Sequence, residues 1–254
     1  MKTIRFLIKL LFPAVCPICG EVCGQNITED DARICPACEK RVRRVTQPFC
    51  MRCGKPLGPD GARSEYCEDC RKHTHAFVQG RAVFVYGGAV ARAMHGMKYK
   101  NRRDYAAVFA REAYETLGGW IRHIQPQALV PVPLHPRRRR TRGYNQAQLL
   151  AAELSGLTGI PVECGLIRRN ENTRPQKELN VDERKNNLKN AFQMSKNSVH
   201  LMKVLVIDDI YTTGSTADAV AKTLQEAGIE KVYVLSICIG GDDQGGLDYG
   251  SKNL

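Results

Sequence analysis

From about residue 79 onward, short unbroken apolar runs alternate with segments whose apolar residues recur at helical spacing. The runs Arg81–Tyr86, Ala128–Pro133, Val204–Asp208 and Lys231–Ile237 predict strands. Val204 to Ile207 lack any polar alternation, the pattern of a parallel strand buried on both faces. Tyr105–Leu117, Asn145–Leu157 and Ser215–Ala227 predict helices, with Asn145 as a cap for the second and Gly228 as a stop for the third. Strands alternating with helices imply a mostly parallel sheet flanked by helices, so residues 79–241 are expected to form one α/β domain.

The remaining segments carry other patterns. Ile4, Leu7, Ile8 and Leu11 share a face, which predicts an amphipathic helix over residues 1–15. This stretch has neither the long apolar core nor the cleavage site of a signal peptide, and no run reaches the roughly 18 apolar residues that span a bilayer. A cytoplasmic protein with no membrane span is expected. Arg168–Phe192 is polar, of mixed charge and weakly periodic, as expected of a lid over a ligand, with a solvated helix at Val181–Asn190 as the alternative. Residues 242–254 read as a disordered tail.

Residues 16–72 hold four C-x-x-C pairs: Cys16/Cys19, Cys35/Cys38, Cys50/Cys53 and Cys67/Cys70. Each pair puts two thiolates on one tight turn, and a tetrahedral zinc needs two such turns. The 15 residues between Cys19 and Cys35 and the 13 between Cys53 and Cys67 suit zinc ribbons. Gly20 and Gly54 each follow a second cysteine, where the turn favours positive φ. A double zinc ribbon with two structural Zn²⁺ ions is therefore expected. Disulfides conflict with the absence of a secretory signal, and a redox dithiol is expected once rather than four times. Cys164 and Cys238 lie in apolar surroundings and are expected to be core thiols, while His73 and His75 read as linker residues or alternative ligands.

The chain carries 38 Lys and Arg against 26 Asp and Glu, a net charge of +12, which favours polyanionic partners. Arg137–Arg140 with Arg142 form the densest basic block. Basic residues on the ribbons, among them Lys40, Arg41, Arg43, Arg44, Arg52 and Lys55, leave single-stranded nucleic acid open as a ligand, although Phe49 and Tyr66 are the few aromatic platforms there.

The densest chemistry is in VLVIDDIYTTGST, Val204–Thr216. Asp208 and Asp209 end a buried strand, where open α/β sheets bind ligands. Thr212, Thr213, Gly214, Ser215 and Thr216 then supply hydroxyls, backbone N–H groups and a close main-chain approach directly before a helix, the makings of a phosphate cradle. The segment resembles the phosphoribosyl pyrophosphate (PRPP) motif of type I phosphoribosyltransferases. That resemblance implies that the acidic pair holds the ribose hydroxyls and the loop holds the 5′-phosphate, with Mg²⁺ accompanying PRPP. VPVPLHPRRRRTRGYNQA resembles the pyrophosphate loop of the same family, which assigns Pro133, Leu134, Arg137 and Arg142 to pyrophosphate. A proline-terminated strand followed by a solvated basic loop is the alternative reading.

The lid carries Arg174, Gln176, Leu179, Arg184, Asn187 and Phe192 in the pattern R-x-Q-x-x-L…R-x-x-N…F. There Arg174 and Lys177 are expected to neutralise a leaving pyrophosphate. Taken with the four cysteine pairs and MKYKNRRD at Met97–Asp104, these motifs resemble the ComF family, ComFC-like proteins that join a double zinc ribbon to a type I phosphoribosyltransferase domain. The resemblance implies a part in DNA uptake, alongside other DNA-uptake proteins. No general base for an acceptor and no purine or pyrimidine pocket can be read. Two functions stand at this point: a phosphoribosyltransferase, and a non-catalytic single-stranded-DNA-binding accessory protein whose PRPP site is regulatory or vestigial.

Overall fold

The computed structural model describes residues 15–22, 33–58, 64–169, 191–195 and 200–241. The helix expected over 1–15 (all but Val15), most of the lid with Arg174 and Lys177, Cys23 and the tail lie outside them.

Two short helices, α1 (Pro36–Glu39) and α2 (Glu68–Lys72), belong to the cysteine-rich region. The α/β region runs β1 (Gln79–Val85), α3 (Gly88–Tyr99), α4 (Tyr105–Ile124), β2 (Ala128–Pro131), α5 (Pro136–Arg142), α6 (Gln146–Thr158), β3 (Ile167–Arg169), β4 (Phe192–Met194), β5 (Lys203–Tyr211), α7 (Ser215–Glu226) and β6 (Lys231–Ile239). Four strands form a parallel sheet in the order β1-β6-β5-β2, and β3 pairs antiparallel with β4 as a separate ribbon.

The unbroken apolar runs mark strands covered on both faces. Leu205 and Ile207 of β5 pack on one side with Phe84, Phe109, Met97 and Leu150. Val204 and Val206 pack on the other with Val220, Leu224 and Phe192. Each such fully buried side chain contributes about 1.5–3 kcal/mol.

Three elements differ from the expectations. Helix α4 continues beyond Leu117 to Ile124 across Gly118 and Gly119, because Ile121 and Ile124 extend the buried stripe and outweigh the glycine penalty. Helix α3 has a glycine cap without a side-chain bond, so its start carries no local signal. The arginine block is a helix rather than a loop: Pro136 begins it, and the His135 side chain accepts from the Arg137 N–H at 3.2 Å.

The cysteine-rich region closes the β1 edge of the sheet. Val45 N–H donates to Val83 O and Val85 N–H to Arg43 O, both at 2.8 Å, so Arg43–Val45 acts as an extra antiparallel segment. Farther along β1, Gly80 N–H donates to Arg52 O at 2.6 Å. Gly54 (φ 80°) lets the second cysteine turn press on β1, since a Cβ there would lie 2.9 Å from Gly80 O and 3.0 Å from Arg81 Cα. The opposite edge is covered by residues 161–163 beside Leu129.

Candidate ligand site at the carboxyl end of the sheet

Asp208 and Asp209 lie near the carboxyl end of β5, which runs three residues farther than its apolar pattern to Tyr211. Asp209 N–H donates to Asp208 Oδ1 at 2.8 Å, and the Asp209 carboxylate meets Lys98 Nζ at 2.9 Å. Burial, then the neighbouring Asp209, pushes Asp208 up to about 7. Burial disfavours the Lys98 ammonium, but Asp209 and Asp208 more than offset this and hold its pKa above the ordinary lysine value. The pair thus forms a compact anionic cluster that one lysine only partly neutralises.

The Thr212–Thr216 loop, expected to hold a phosphate, follows directly. Thr212 and Thr213 are exposed, and Thr213 Oγ1 lies 2.9 Å from Ser215 Oγ. Gly214 is buried, left-handed (φ 78°), and sits at the N-cap of α7. Only glycine fits there, because a Cβ would meet the Tyr211 hydroxyl at 2.3 Å. The first N–H groups of α7 have no acceptor within the helix and face the loop end.

Pro133 and Leu134 are half-buried between β2 and α5, and Arg137 is exposed on α5. Arg142 donates to the Gln146 and Tyr99 side chains, each at 3.1 Å, and lies over the Tyr99 ring at 4.7 Å. Tyr144 hydroxyl and Gln146 Nε2 both donate to Met97 O, which pins the segment after α5 to the end of α3 that bears Lys98. Asn145 is the expected cap, accepting from Ala147 N–H at 3.1 Å, and it also donates to Val132 O at 2.9 Å.

The sequence reading missed Lys98 as a site residue, although it quoted the motif that contains it. It also missed Arg169 on β3. Burial, then Arg138, lowers the Arg169 pKa while Asp208 opposes the shift, and its buried Nε has no hydrogen-bond partner among the described residues. Ser236, also buried and with no partner for its Oγ among the described residues, is the register neighbour of Asp208 on β6. Nothing local in the sequence marks either residue.

The eight expected metal ligands form two four-cysteine groups, Cys16/Cys19/Cys35/Cys38 and Cys50/Cys53/Cys67/Cys70, with the sulfurs of each within 4.8 Å of one another. Cys19 and Cys35 sulfurs are 3.8 Å apart, and Cys53 and Cys67 sulfurs 3.6 Å. Zn–S bonds of about 2.3 Å in a tetrahedron place sulfurs about 3.8 Å apart, so both groups fit zinc, whereas a disulfide would need about 2 Å. Hydrogen bonds from Cys53, Cys67 and Cys70 hold Cys50 far below the ordinary thiol range, so the second group favours a thiolate at its centre. These are two zinc-binding sites.

One cysteine expectation needs correction. Cys238 is buried, but Cys164 is exposed in the turn after residues 161–163. His75 belongs to neither four-cysteine group; it pairs with Asp218. The ribbon cations are largely committed to packing: Arg44 pairs with Glu39 and Glu112, Lys55 with Asp69, and Arg52 donates to Phe77 O.

A family profile described as a double zinc ribbon domain matches residues 7–71. A Haemophilus influenzae protein described as "Competence protein F" is 31% identical over 217 residues, covering 84% of this chain and 93% of the relative. The chain belongs to the competence protein F (ComF) family. Other ComF-like relatives include "Competence protein ComFC" of Bacillus subtilis, 26% identical over 84% of this chain and 90% of the relative. "DNA utilization protein YhgH" of Salmonella typhi is 31% identical over 81% and 89%. Among solved structures, a purine phosphoribosyltransferase from Pyrococcus horikoshii aligns with a TM-score of 0.35 at 15% identity, over 52% of this chain and 82% of its own. The mostly parallel sheet flanked by helices and the N-terminal double zinc ribbon read from the sequence are both present in this ComF chain. Among the described residues, no helix is long and apolar enough to cross a membrane.

Proposed function

We propose that this ComF protein binds PRPP with Mg²⁺ at Asp208–Thr216 and transfers its phosphoribosyl group, as a cytoplasmic component of DNA uptake. The carrying observation is the joint placement of the Asp208/Asp209 pair, only partly neutralised by Lys98, and the left-handed Gly214 loop at the start of α7. The carboxylates accept from the ribose hydroxyls, and the loop hydroxyls and first N–H groups of α7 receive the 5′-phosphate. Pro133, Leu134, Arg137 and Arg142 are assigned to the pyrophosphate, as are Arg174 and Lys177, which lie outside the described residues. Mg²⁺, a hard ion suited to oxygen donors, would be held with PRPP beside the Asp208 and Asp209 carboxylates and would offset phosphate charge when bound. The attacking nucleophile forms a bond to the ribose C1 as the C1–O bond breaks, and the electron pair leaves with pyrophosphate. Fixed positive charge stabilises that leaving group.

Calorimetry tests the site: PRPP binding should require Mg²⁺ and vanish in the Asp208→Ala, Asp209→Ala double variant. Undiminished binding in that variant refutes the assignment. Pyrophosphate release measured across bases, amines and oligonucleotides tests transfer.

A second reading, a non-catalytic accessory protein that binds single-stranded DNA, rests on Tyr99. This ring is 63% exposed, lies 4.6 Å from the His95 ring at a tilt of 41°, and lies under Arg142. An exposed aromatic among cations suits base stacking. Binding through this surface should weaken steeply with salt and weaken in Tyr99→Ala, and a flat salt response counts against it.

A further inference from the structure

The linker after the second zinc ribbon is bolted to the helix that carries the phosphate loop. His75 Nδ1 lies 2.8 Å from Asp218 Oδ2, and Ala76 N–H donates to Asp218 Oδ1 at 2.9 Å. Asp218 stands in the first turn of α7, and its own N–H donates to Gly214 O. One carboxylate therefore ties two groups of the linker to the first turn of the helix.

His75 is only 7% exposed, and its buried Nε2 has no partner among the described residues. Its ring stacks on Phe77 at 4.8 Å, and Phe77 meets Tyr211 edge-on at 6.2 Å. Phe77 and Tyr211 share a buried cluster with Cys50, Cys53 and Cys67. Both His75 and Tyr211 abut Gly214: a Cβ there would lie 3.0 Å from His75 Cε1 and 2.3 Å from the Tyr211 hydroxyl. A continuous packed path thus joins the second four-cysteine group to the loop assigned to the 5′-phosphate. Ordering the loop before the ligand arrives lowers the entropic cost of binding.

We propose that His75 is a positioning residue for the phosphate loop, acting with Asp218 and Tyr211 to transmit the fold of the second zinc ribbon to that loop. The inference rests on the phosphate assignment above for its ligand consequence, but its conformational half does not. With an Nδ1–H donor, His75 holds the start of α7 while its ring fills the space behind Gly214. A ribbon that loses zinc releases the linker and loosens the loop.

The test compares the full-length protein with His75→Phe, which keeps the ring stack and loses the donor, and His75→Asn, which restores an N–H near the Nδ1 position. Hydrogen exchange without ligand should be about tenfold faster for residues 212–218 in His75→Phe, partly rescued in His75→Asn, with about two zinc ions per chain retained in all. Calorimetry with Mg²⁺ should show ribose 5-phosphate affinity falling about tenfold in His75→Phe and pyrophosphate affinity changing less than twofold. Unchanged exchange in His75→Phe overturns the inference whatever the ligand does, as does equal loss of both ligands or loss of zinc. Failure of the unaltered protein to bind ribose 5-phosphate overturns the ligand consequence and the phosphate assignment, while the exchange result decides the strut separately.

Discussion

Glu112 offers a direct measure of how firmly the first ribbon is held on the α/β domain. Its carboxylate is buried on α4, accepts from Ile34 N–H at 3.1 Å and meets Arg44 at 2.7 Å. Glu112→Ala leaves the Ile34 N–H buried without an acceptor, a loss of about 1–3 kcal/mol. Arg44 is 31% exposed on its side chain and keeps Glu39, so its lost pairing adds only about 1 kcal/mol. The sum is about 2–4 kcal/mol, confined to the docking contact. Glu112→Gln retains an oxygen for Ile34 and loses only the charge, about 1 kcal/mol. Since about 1.4 kcal/mol is tenfold in an equilibrium, amide exchange in residues 33–45 should accelerate roughly 30- to 1000-fold in Glu112→Ala and several-fold in Glu112→Gln. Exchange in β5 and β6 should hold steady. Equal effects of the two substitutions, or exchange unchanged in Glu112→Ala, refute the buried-acceptor argument.

Metal analysis of the purified protein should find about two zinc ions per chain, and Cys53→Ser should reduce this to about one; a folded metal-free protein contradicts the ribbon assignment. Gly54→Ala places a Cβ against the β1 backbone at positive φ and should cost about 2–5 kcal/mol of unfolding free energy, whereas Gly58→Ala, with no described atom within 4 Å, serves as the neutral control. The raised pKa of Asp208 has two opposite consequences. Folded Asp208 holds its proton more tightly than unfolded Asp208, so its contribution to stability is present below the ordinary carboxylate range and is lost as pH rises toward about 7. On the proposed assignment PRPP affinity runs the other way, because an ionised pair is needed to accept the ribose hydroxyls. Affinity should climb between about pH 6 and 8 and be accompanied by proton release in calorimetry, and a flat profile contradicts the role given to Asp208.

The sequence alone determined whatever is written into contiguous residues. The C-x-x-C pairs dictate paired thiolates, and the unbroken run before Asp208 dictates a doubly buried strand with acid near its carboxyl end. The TTGST loop dictates a donor-rich approach to a helix. These signals are local because turn geometry, strand burial and helix capping depend on neighbours along the chain. The arginine block shows where such reading stops: its charge suggested a loop, while Pro136 and the His135 cap make it a helix. Only the tertiary structure could bring Lys98 to Asp209, Glu112 to Ile34 and Arg44, or His75 to Asp218 across 143 positions. Those pairings arise where separately patterned elements meet. No residue's neighbours in sequence foretell which buried charge will balance it, because burial and distance in space, rather than spacing along the chain, set that energy.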